Sequence, residues 1–190
     1  MLQMALKEWA VAVKALEEGR QIIAMRKGGI REETRDFELA ADTFWLFPTY
    51  EHQRAELLKP TEQPLLEQTL ADWNAEAGTV SIGSFARVVR DVEVSDYDEL
   101  MRLHDFHIWT EAFADERLKW KRTKPLHVLL LRVYKLPQPV VVQVDPVWLG
   151  CKSWISLGEI ATANAVPALS DSDFAEREAA VLAKFDSGAL

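Results

Sequence analysis

Residues 79–94 read TVSIGSFARVVRDVEV, and apolar side chains alternate with polar ones through most of this stretch. A two-residue period is typical of a β-strand with one face buried. Sixteen residues is long for a single strand, so we expect Gly83 to mark a bend or a β-bulge. The stretch therefore predicts a long, half-buried, kinked strand.

A second run, LHVLLLRVYKL at residues 126–136, is apolar at almost every position. Because both faces of such a strand need apolar neighbours, it is predicted to lie centrally in a sheet. Pro137 and Pro139 predict a turn, after which residues 140–144 would return as another strand. Residues 148–157 are expected to form a loop.

Helical spacing is clearest near the two ends of the chain. Apolar residues recur at three- and four-residue intervals over 3–18, and again over about 172–186. Thr49 stands where it could cap a further helix beginning at Tyr50. Long strands that are not separated by regular helices favour an α+β fold. We predict one globular domain over residues 1–190, with a curved, mainly antiparallel or mixed sheet flanked by helices.

Composition limits the classes of protein that fit. A chain of 190 residues, 48% hydrophobic, is long enough to bury its own core. Cys151 is the single cysteine, which excludes an internal disulfide and favours a cytoplasmic location. No apolar run approaches the length of a membrane span, so no membrane partner is expected.

Charge is unevenly distributed along the chain. The net charge is −8, yet residues 117–152 contain eight Lys or Arg and one acidic residue, Asp145. Such a segment can create a local positive field on an acidic protein. The alternative is that these Lys and Arg side chains pair with surrounding Asp and Glu side chains.

Arg26-Lys27-Gly28-Gly29 follows a short apolar stretch and is the first candidate binding motif. Glycine N–H groups beside two cations can hold a phosphate or a carboxylate, so these four residues are predicted to bind an anionic ligand. The spacing matches neither a phosphate-binding P-loop nor a dinucleotide fingerprint. A solvated turn is the alternative.

Glu51, His52 and Gln53 form the second candidate, at the start of the predicted helix. A helix N-terminus favours a carboxylate and keeps a histidine neutral, so Glu51 and His52 could serve as orienter and base. Gln53 would contact the ligand. The alternative is helix capping with a surface histidine.

A basic and aromatic stretch follows Arg117 and is the third candidate. Cations interleaved with an aromatic ring suit a phosphate backbone with stacked bases. The predicted nucleic-acid contacts are Lys119, Trp120, Lys121, Arg122 and Lys124. If the stretch were instead the start of a β-strand with alternating faces, Trp120 would lie in the core and the Lys and Arg side chains would form a solvated face.

His104 and His107, with Asp105 between them, raise the question of a metal. The pair lacks the spacing of known zinc helices, and a packed histidine is the alternative, so no metal site is assigned. The sequence does not identify a cofactor.

Several segments together resemble the bacterial family known as domain of unknown function 1802. They are Ala5-Leu6-Lys7-Glu8-Trp9-Ala10, Arg26-Lys27-Gly28-Gly29-Ile30, residues 47–53, Leu58-Lys59-Pro60, Arg132-Val133-Tyr134 and residues 149–155. The family has no established activity. Its relatives can accompany restriction-type nuclease domains, so the resemblance implies a link to nucleic acid.

The leading hypothesis is a small-ligand or nucleic-acid binding module whose cleft brings together Lys27, Glu51, His52 and the basic stretch. Its partner would be a nucleic acid or a phosphate-bearing small molecule. The alternatives are a small hydrolase or nuclease using the Glu51 and His52 pair, and a non-catalytic adaptor.

Overall fold

A mixed β-sheet forms the centre of the protein. The computed structural model describes residues 2–27, 41–120, 124–150 and 152–186. Within these residues the sheet has seven strands: β1 (Leu2–Trp9), β2 (Ile23–Arg26), β3 (Thr43–Thr49), β4 (Thr79–Val94), β5 (Leu126–Gln143), β6 (Trp154–Ile160) and β7 (Val166–Pro167). Their order is β2-β5-β4-β3-β1-β6, with β7 also on β5. β1 and β3 are parallel, and the other described pairs are antiparallel.

Helices flank this sheet. They are α1 (Ala10–Glu17), α2 (Gln63–Ala71), α3 (Tyr97–Met101), α4 (Glu111–Lys119) and α5 (Asp171–Asp186). Single 3₁₀ turns lie at Ala55–Leu57, Pro60–Glu62, Ala75–Ala77, His104–Phe106 and Pro146–Trp148. No helix in the described ranges is both long and apolar enough to cross a membrane. The predicted α+β domain with a mixed sheet flanked by helices is confirmed.

The longest ladder joins β4 to β5. β4 has the bounds that the alternating pattern predicted, and its register with β5 shifts between Ile82 and Ser84, at Gly83. The expected bulge is therefore present. A second shift, between Val88 and Arg90, had no glycine to signal it.

β5 corrects the predicted turn at Pro137 and Pro139, because one strand continues through both prolines. The ladder passes from Ser84 opposite Lys135 to Ile82 opposite Val140, so both prolines lie in the irregular stretch. No ladder hydrogen bond is needed there from their missing N–H groups.

The predicted N-terminal helix over 3–18 is wrong in its first half. Residues Leu2–Trp9 form β1, and only Ala10–Glu17 is helical. β1 is paired on both sides, parallel to β3 and antiparallel to β6, which occupies part of the predicted 148–157 loop. Tertiary pairing of this kind overrides local helical preference.

The helix predicted to start at Tyr50 is also absent. Thr49 is the last residue of β3, and its hydroxyl donates to the Glu8 carbonyl at 3.0 Å instead of capping a helix. His52 has a positive φ of 64°, so the chain turns there. Helical structure resumes only as the 3₁₀ turn at Ala55–Leu57. The pairing of Thr49 with β1 and the turn at His52 therefore replace the predicted first helical turn.

Apolar side chains pack on both faces of the sheet. The largest cluster joins residues of α1, α3, α4 and α5 to those of β2 and β5, including Val11, Leu100, Phe113, Val128 and Phe174. A second cluster packs α1 against the centre of the sheet through Leu6, Val13, Phe44 and Leu129. A third lies around Trp45, Phe47 and Ile155.

Gly19 terminates α1 in a left-handed conformation, with φ of 67°. The Gly19 N–H donates to the Leu16 carbonyl and the Arg20 N–H to the Ala15 carbonyl, which is the Schellman pattern. A Cβ on Gly19 would lie 2.5 Å from Cδ2 of Leu169. The position therefore requires glycine for both backbone and packing reasons.

His107 is buried, with 4% of its surface exposed, beside His104 and Lys59. Its Nδ1 accepts a hydrogen bond from the Trp109 N–H, and its Nε2 has no partner among the described residues. Burial, and then the charge of Lys59, lower the pKa of His107 to about 3. His107 is thus a packed, neutral histidine.

The G19A variant is expected to unfold about 2 kcal/mol or more easily than the wild type, because a left-handed alanine and overpacking each cost about 1 kcal/mol or more. Gly158 provides the matched control: its φ is 76°, but a Cβ there meets nothing within 4 Å. G158A should lose only the backbone contribution. Urea unfolding of both variants measures the difference, and equal losses would contradict the Leu169 clash.

Acid should destabilise the fold through His107. The unfolded chain binds a proton near the ordinary histidine pKa, whereas the folded chain does so only near pH 3, so stability falls as pH drops between these values. The expected slope is at most about 1.4 kcal/mol per pH unit. Urea unfolding at several pH values between about 7 and 5 measures it.

The H107N variant should lose this part of the slope, since an Asn oxygen can still accept from the Trp109 N–H. H52N, at an exposed histidine, is the matched control and should keep the slope of the wild type. Parallel curves for wild type and H107N would show that His107 does not carry the effect.

Candidate functional site

A cavity of about 830 Å³ opens where β1 and β3 end. This volume lies in the range of small-molecule and cofactor sites. Because β1 and β3 are parallel, residues 7–9 of one strand and 47–49 of the other reach the same edge of the sheet. The end of β2, one side of α4, the segments 50–57 and 73–80 and the segment before β6 form the rest of the wall.

Charged side chains line this cavity in an unequal ratio. In the described wall six are Lys or Arg and three are Glu: Lys7, Arg26, Lys27, Arg54, Arg117 and Lys152, against Glu8, Glu51 and Glu116. The Arg54 guanidinium pairs with Glu116 and also lies 3.9 Å from Glu56. The remaining cations of the described wall therefore outnumber the remaining carboxylates.

Four of these residues form what we term the buried charge cluster: Glu8, Arg26, Lys27 and Arg117. Glu8 is held by the Trp9 N–H, which donates to its Oε1 at 2.8 Å. The Arg26 guanidinium lies 3.4 Å from the other Glu8 oxygen and donates to the Lys7 carbonyl at 2.7 Å. Glu8 and Arg26 thus fix each other against the backbone of β1.

Lys27 is 5% exposed. Its Nζ donates to the Leu118 carbonyl, in the last turn of α4, at 2.6 Å. A cation is favoured at that end of a helix by the helix dipole and by unpaired carbonyls. Burial lowers the pKa of Lys27. The residue therefore ties β2 to α4 while still lining the cavity.

Arg117 lies in the last turn of α4, with its guanidinium carbon 5.0 Å from the ring centre of Phe113. No hydrogen bond joins it to another described residue. Burial lowers the pKa of Arg117, the charge of Glu8 raises it, and that of Arg26 lowers it again. Since an arginine remains charged in proteins, Arg117 is a half-buried cation whose N–H groups are not used by other described residues.

Aromatic rings form much of the remaining wall: Trp9, Phe47, Tyr50, Trp73, Phe113, Trp120 and Trp148. Tyr50 and Trp73 are stacked, with ring centres 5.0 Å apart and planes 3° apart. Trp148 meets Phe47 edge to face at 5.9 Å. Four of the seven tryptophans thus line the cavity, whereas Trp45 and Trp109 are buried in the core.

Five residues predicted from the sequence lie together on this cavity: Arg26, Lys27, Glu51, His52 and Trp120. Glu51 and His52 are both exposed, and no hydrogen bond connects them in the described structure. The base and orienter contact that a hydrolase would use is therefore not formed. No group of three His, Cys, Asp or Glu in the described residues is placed to hold a metal.

The other predicted residues are placed elsewhere or not described. Gln53 accepts from the Val11 N–H at 3.0 Å, so it caps α1 and is not in the cavity wall. Lys119 pairs with Asp115 on the same helix, and Lys124 is exposed. Gly28, Gly29, Lys121 and Arg122 lie outside the described residues.

Sequence reasoning missed Lys7, Trp73 and Trp148 as cavity residues and grouped Arg117 with the general positive segment. Lys7 lies in the segment that was predicted to be the N-terminal helix, but in β1 its Nζ donates to the carbonyls of Trp148 and Gly150, both at 2.8 Å. These contacts join residues more than 140 positions apart, so no local pattern signals them. A cluster of tryptophans was the available hint.

Comparison with solved structures gives distant likenesses. The ASCH protein of Zymomonas mobilis is 14% identical, with 93% of this chain and 92% of that chain covered and a TM-score of 0.46. Two of its single-substitution mutants are each 16% identical, with TM-scores of 0.47 and 0.48. They cover 82% and 84% of this chain, and 88% and 92% of their own.

No curated protein matches the sequence. The model of the family described as "Domain of unknown function (DUF1802)" matches residues 5–180. That range includes most of β1, all of the other described strands and most of α5, and it agrees with the resemblance seen in the sequence. The chain belongs to the DUF1802 family.

Proposed function

We propose that this protein binds single-stranded nucleic acid in the cavity, with a phosphate against Arg117 and bases against the aromatic wall. The observation that carries the proposal is Arg117 itself, a half-buried guanidinium on the cavity wall that has no hydrogen-bond partner in the described structure. A partly desolvated cation of this kind gains from an anion that pairs with it. A phosphate accepts two parallel N–H bonds from such a group.

The aromatic wall supports a nucleic acid over a simple anion. Trp73 and Tyr50 present a flat, stacked pair of rings beside the cations. Bases stack on such rings with little regard to sequence, whereas inorganic phosphate gains nothing from them. A duplex keeps its base faces stacked inside, so a single strand is the form that can use this surface.

Electrostatics supports the same conclusion for a protein whose net charge is −8. The described cavity wall carries twice as many cations as carboxylates, and low-dielectric walls focus the field of a cleft, so the cavity can attract an anion that the rest of the surface repels. Non-specific binding of nucleic acid over the rest of the protein surface is correspondingly disfavoured. Binding would be restricted to this one concave face.

The alternatives receive less support. A hydrolase or nuclease acting through Glu51 and His52 would require the two side chains to meet, and in the described structure they do not. A phosphate-bearing small molecule shares the phosphate and ring chemistry of a nucleotide. It differs from a strand only in length, which competition by a mononucleotide would reveal.

The R117Q variant is expected to bind short single-stranded RNA and DNA at least about tenfold more weakly than the wild type, because it removes a charge-assisted contact. Fluorescence anisotropy with labelled hydroxyl-ended oligonucleotides measures the affinity. Wild-type binding should also weaken as salt rises, since cations that pair with phosphates release counterions.

K119Q is the matched control for this experiment. It makes the same charge change two residues away, on a side chain that pairs with Asp115 and is absent from the cavity wall. Its affinity should stay within about twofold of the wild type, as expected for an exposed charge pair. Equal losses in the two variants would place binding outside the cavity, and no binding by the wild type would overturn the proposal.

The W73A variant tests the aromatic wall. It should weaken single-strand binding by about 1–3 kcal/mol, the usual contribution of one stacked base. Y97A, at an exposed aromatic residue outside the cavity, should change the affinity little. Quenching of tryptophan fluorescence by the oligonucleotide in the wild type, reduced in W73A, would give an independent measure. Unchanged affinity in W73A would show that its ring is not a contact.

A further inference from the structure

We infer that the buried charge cluster recognises a terminal phosphomonoester of the strand in preference to an internal phosphodiester. The inference rests on the proposed function and specifies which phosphate occupies the site. It follows from three features of Glu8, Arg26, Lys27 and Arg117: their charges, their unused donors and their rigidity.

The charges do not balance within the cluster. Glu8 is the single carboxylate of the cluster, where it pairs with Arg26 and acts on the charge of Arg117. Glu116 also acts on Arg117, but it pairs with Arg54. A phosphomonoester carries between about −1.5 and −2 charges at neutral pH, whereas an internal phosphodiester carries one. The monoester therefore compensates the excess positive charge more completely, and in a partly desolvated site such compensation stabilises the complex more than it would in water.

The donors that remain also fit a terminal phosphate. Arg117 uses none of its N–H groups on described residues, and the Lys27 Nζ makes one described hydrogen bond out of a possible three. A terminal phosphate offers three strongly accepting oxygens, whereas an internal one has two non-bridging oxygens. A bidentate contact with Arg117 leaves a third oxygen for Lys27 only in the monoester.

Each cation is held in place before the ligand arrives. Arg26 is anchored on the Lys7 carbonyl, Lys27 on the Leu118 carbonyl, and Arg117 over the ring of Phe113. These anchors come from β1, from α4 and from the core, so the cluster is preorganised by the fold. Preorganised donors discriminate between anions of different charge more sharply than flexible surface lysines do.

The test compares oligonucleotides of one sequence that differ only at one end: 5′-hydroxyl, 5′-phosphate, 5′-methylphosphate and 3′-phosphate, each labelled at the opposite end. The wild type should bind at least one phosphate-ended probe about tenfold or more tightly than the hydroxyl-ended probe. The methylphosphate probe carries the same group as a diester, and it should lose most of that preference. Comparison of the 5′-phosphate and 3′-phosphate probes shows which end of the strand is recognised.

The ratio of the two dissociation constants, hydroxyl over phosphate, is the decisive quantity. In R117Q it should fall to about twofold or less, because the bidentate contact is gone, whereas K119Q should keep the wild-type ratio. Circular dichroism and thermal unfolding of each variant verify that the fold is retained. R117K, which keeps the charge without the planar fork, should show an intermediate ratio.

The outcomes separate the two proposals. Equal binding of hydroxyl-, phosphate- and methylphosphate-ended probes would overturn the terminal-phosphate inference and leave single-strand binding intact. Equal binding of phosphate and methylphosphate, both tighter than hydroxyl, would overturn the requirement for a dianion. No binding of any probe would overturn the proposed function itself.

Discussion

The parallel pairing of β1 with β3 is the constraint on which the rest of the structure depends. It places Glu8 opposite Pro48 and Trp9 opposite Thr49, so both strands end at one edge of the sheet. The Thr49 hydroxyl bonds to the Glu8 carbonyl at this edge. A parallel pair requires a long connection between its strands. Here α1 and β2 lie within that connection, which brings the end of β2 to the cavity as well.

Burial of charge is the second organising feature. Glu8, Arg26 and Lys27 are removed from water, and each is satisfied mainly by backbone groups of neighbouring elements. Such contacts define how β1, β2 and α4 fit together as well as the electrostatics of the cavity. Arg117 differs because its neighbours supply charge and a ring but no hydrogen bond. A half-buried cation of this type on the wall of a cavity is available to pair with an anion.

The local sequence pattern predicted those elements in which each face is either consistently buried or consistently exposed. β4 alternates and was predicted with its observed bounds, and the bulge followed from Gly83. The same reasoning failed for β1, where Leu6 and Ala5 are buried on opposite faces of the sheet. A strand that is apolar on both faces has no two-residue period to distinguish it from a helix. Among the cavity residues, Arg26 and Lys27 could be predicted because they form one motif of adjacent residues. Lys7 and Trp148 could not, because they come into contact only after folding.

By itself, the sequence determined the α+β class, the long β4 strand, the C-terminal helix and the positive charge of residues 117–152, because these depend on composition and on short-range periodicity. Only the tertiary structure decided that residues Leu2–Trp9 form a strand, that β5 continues through two prolines and that four tryptophans line a cavity. It also decided which cations are paired. Lys119 pairs with Asp115 on its own helix, whereas Arg117 has no hydrogen-bond partner among the described residues. The physical reason is that hydrogen-bond satisfaction and desolvation depend on which distant segments come into contact, and a local pattern does not contain that information.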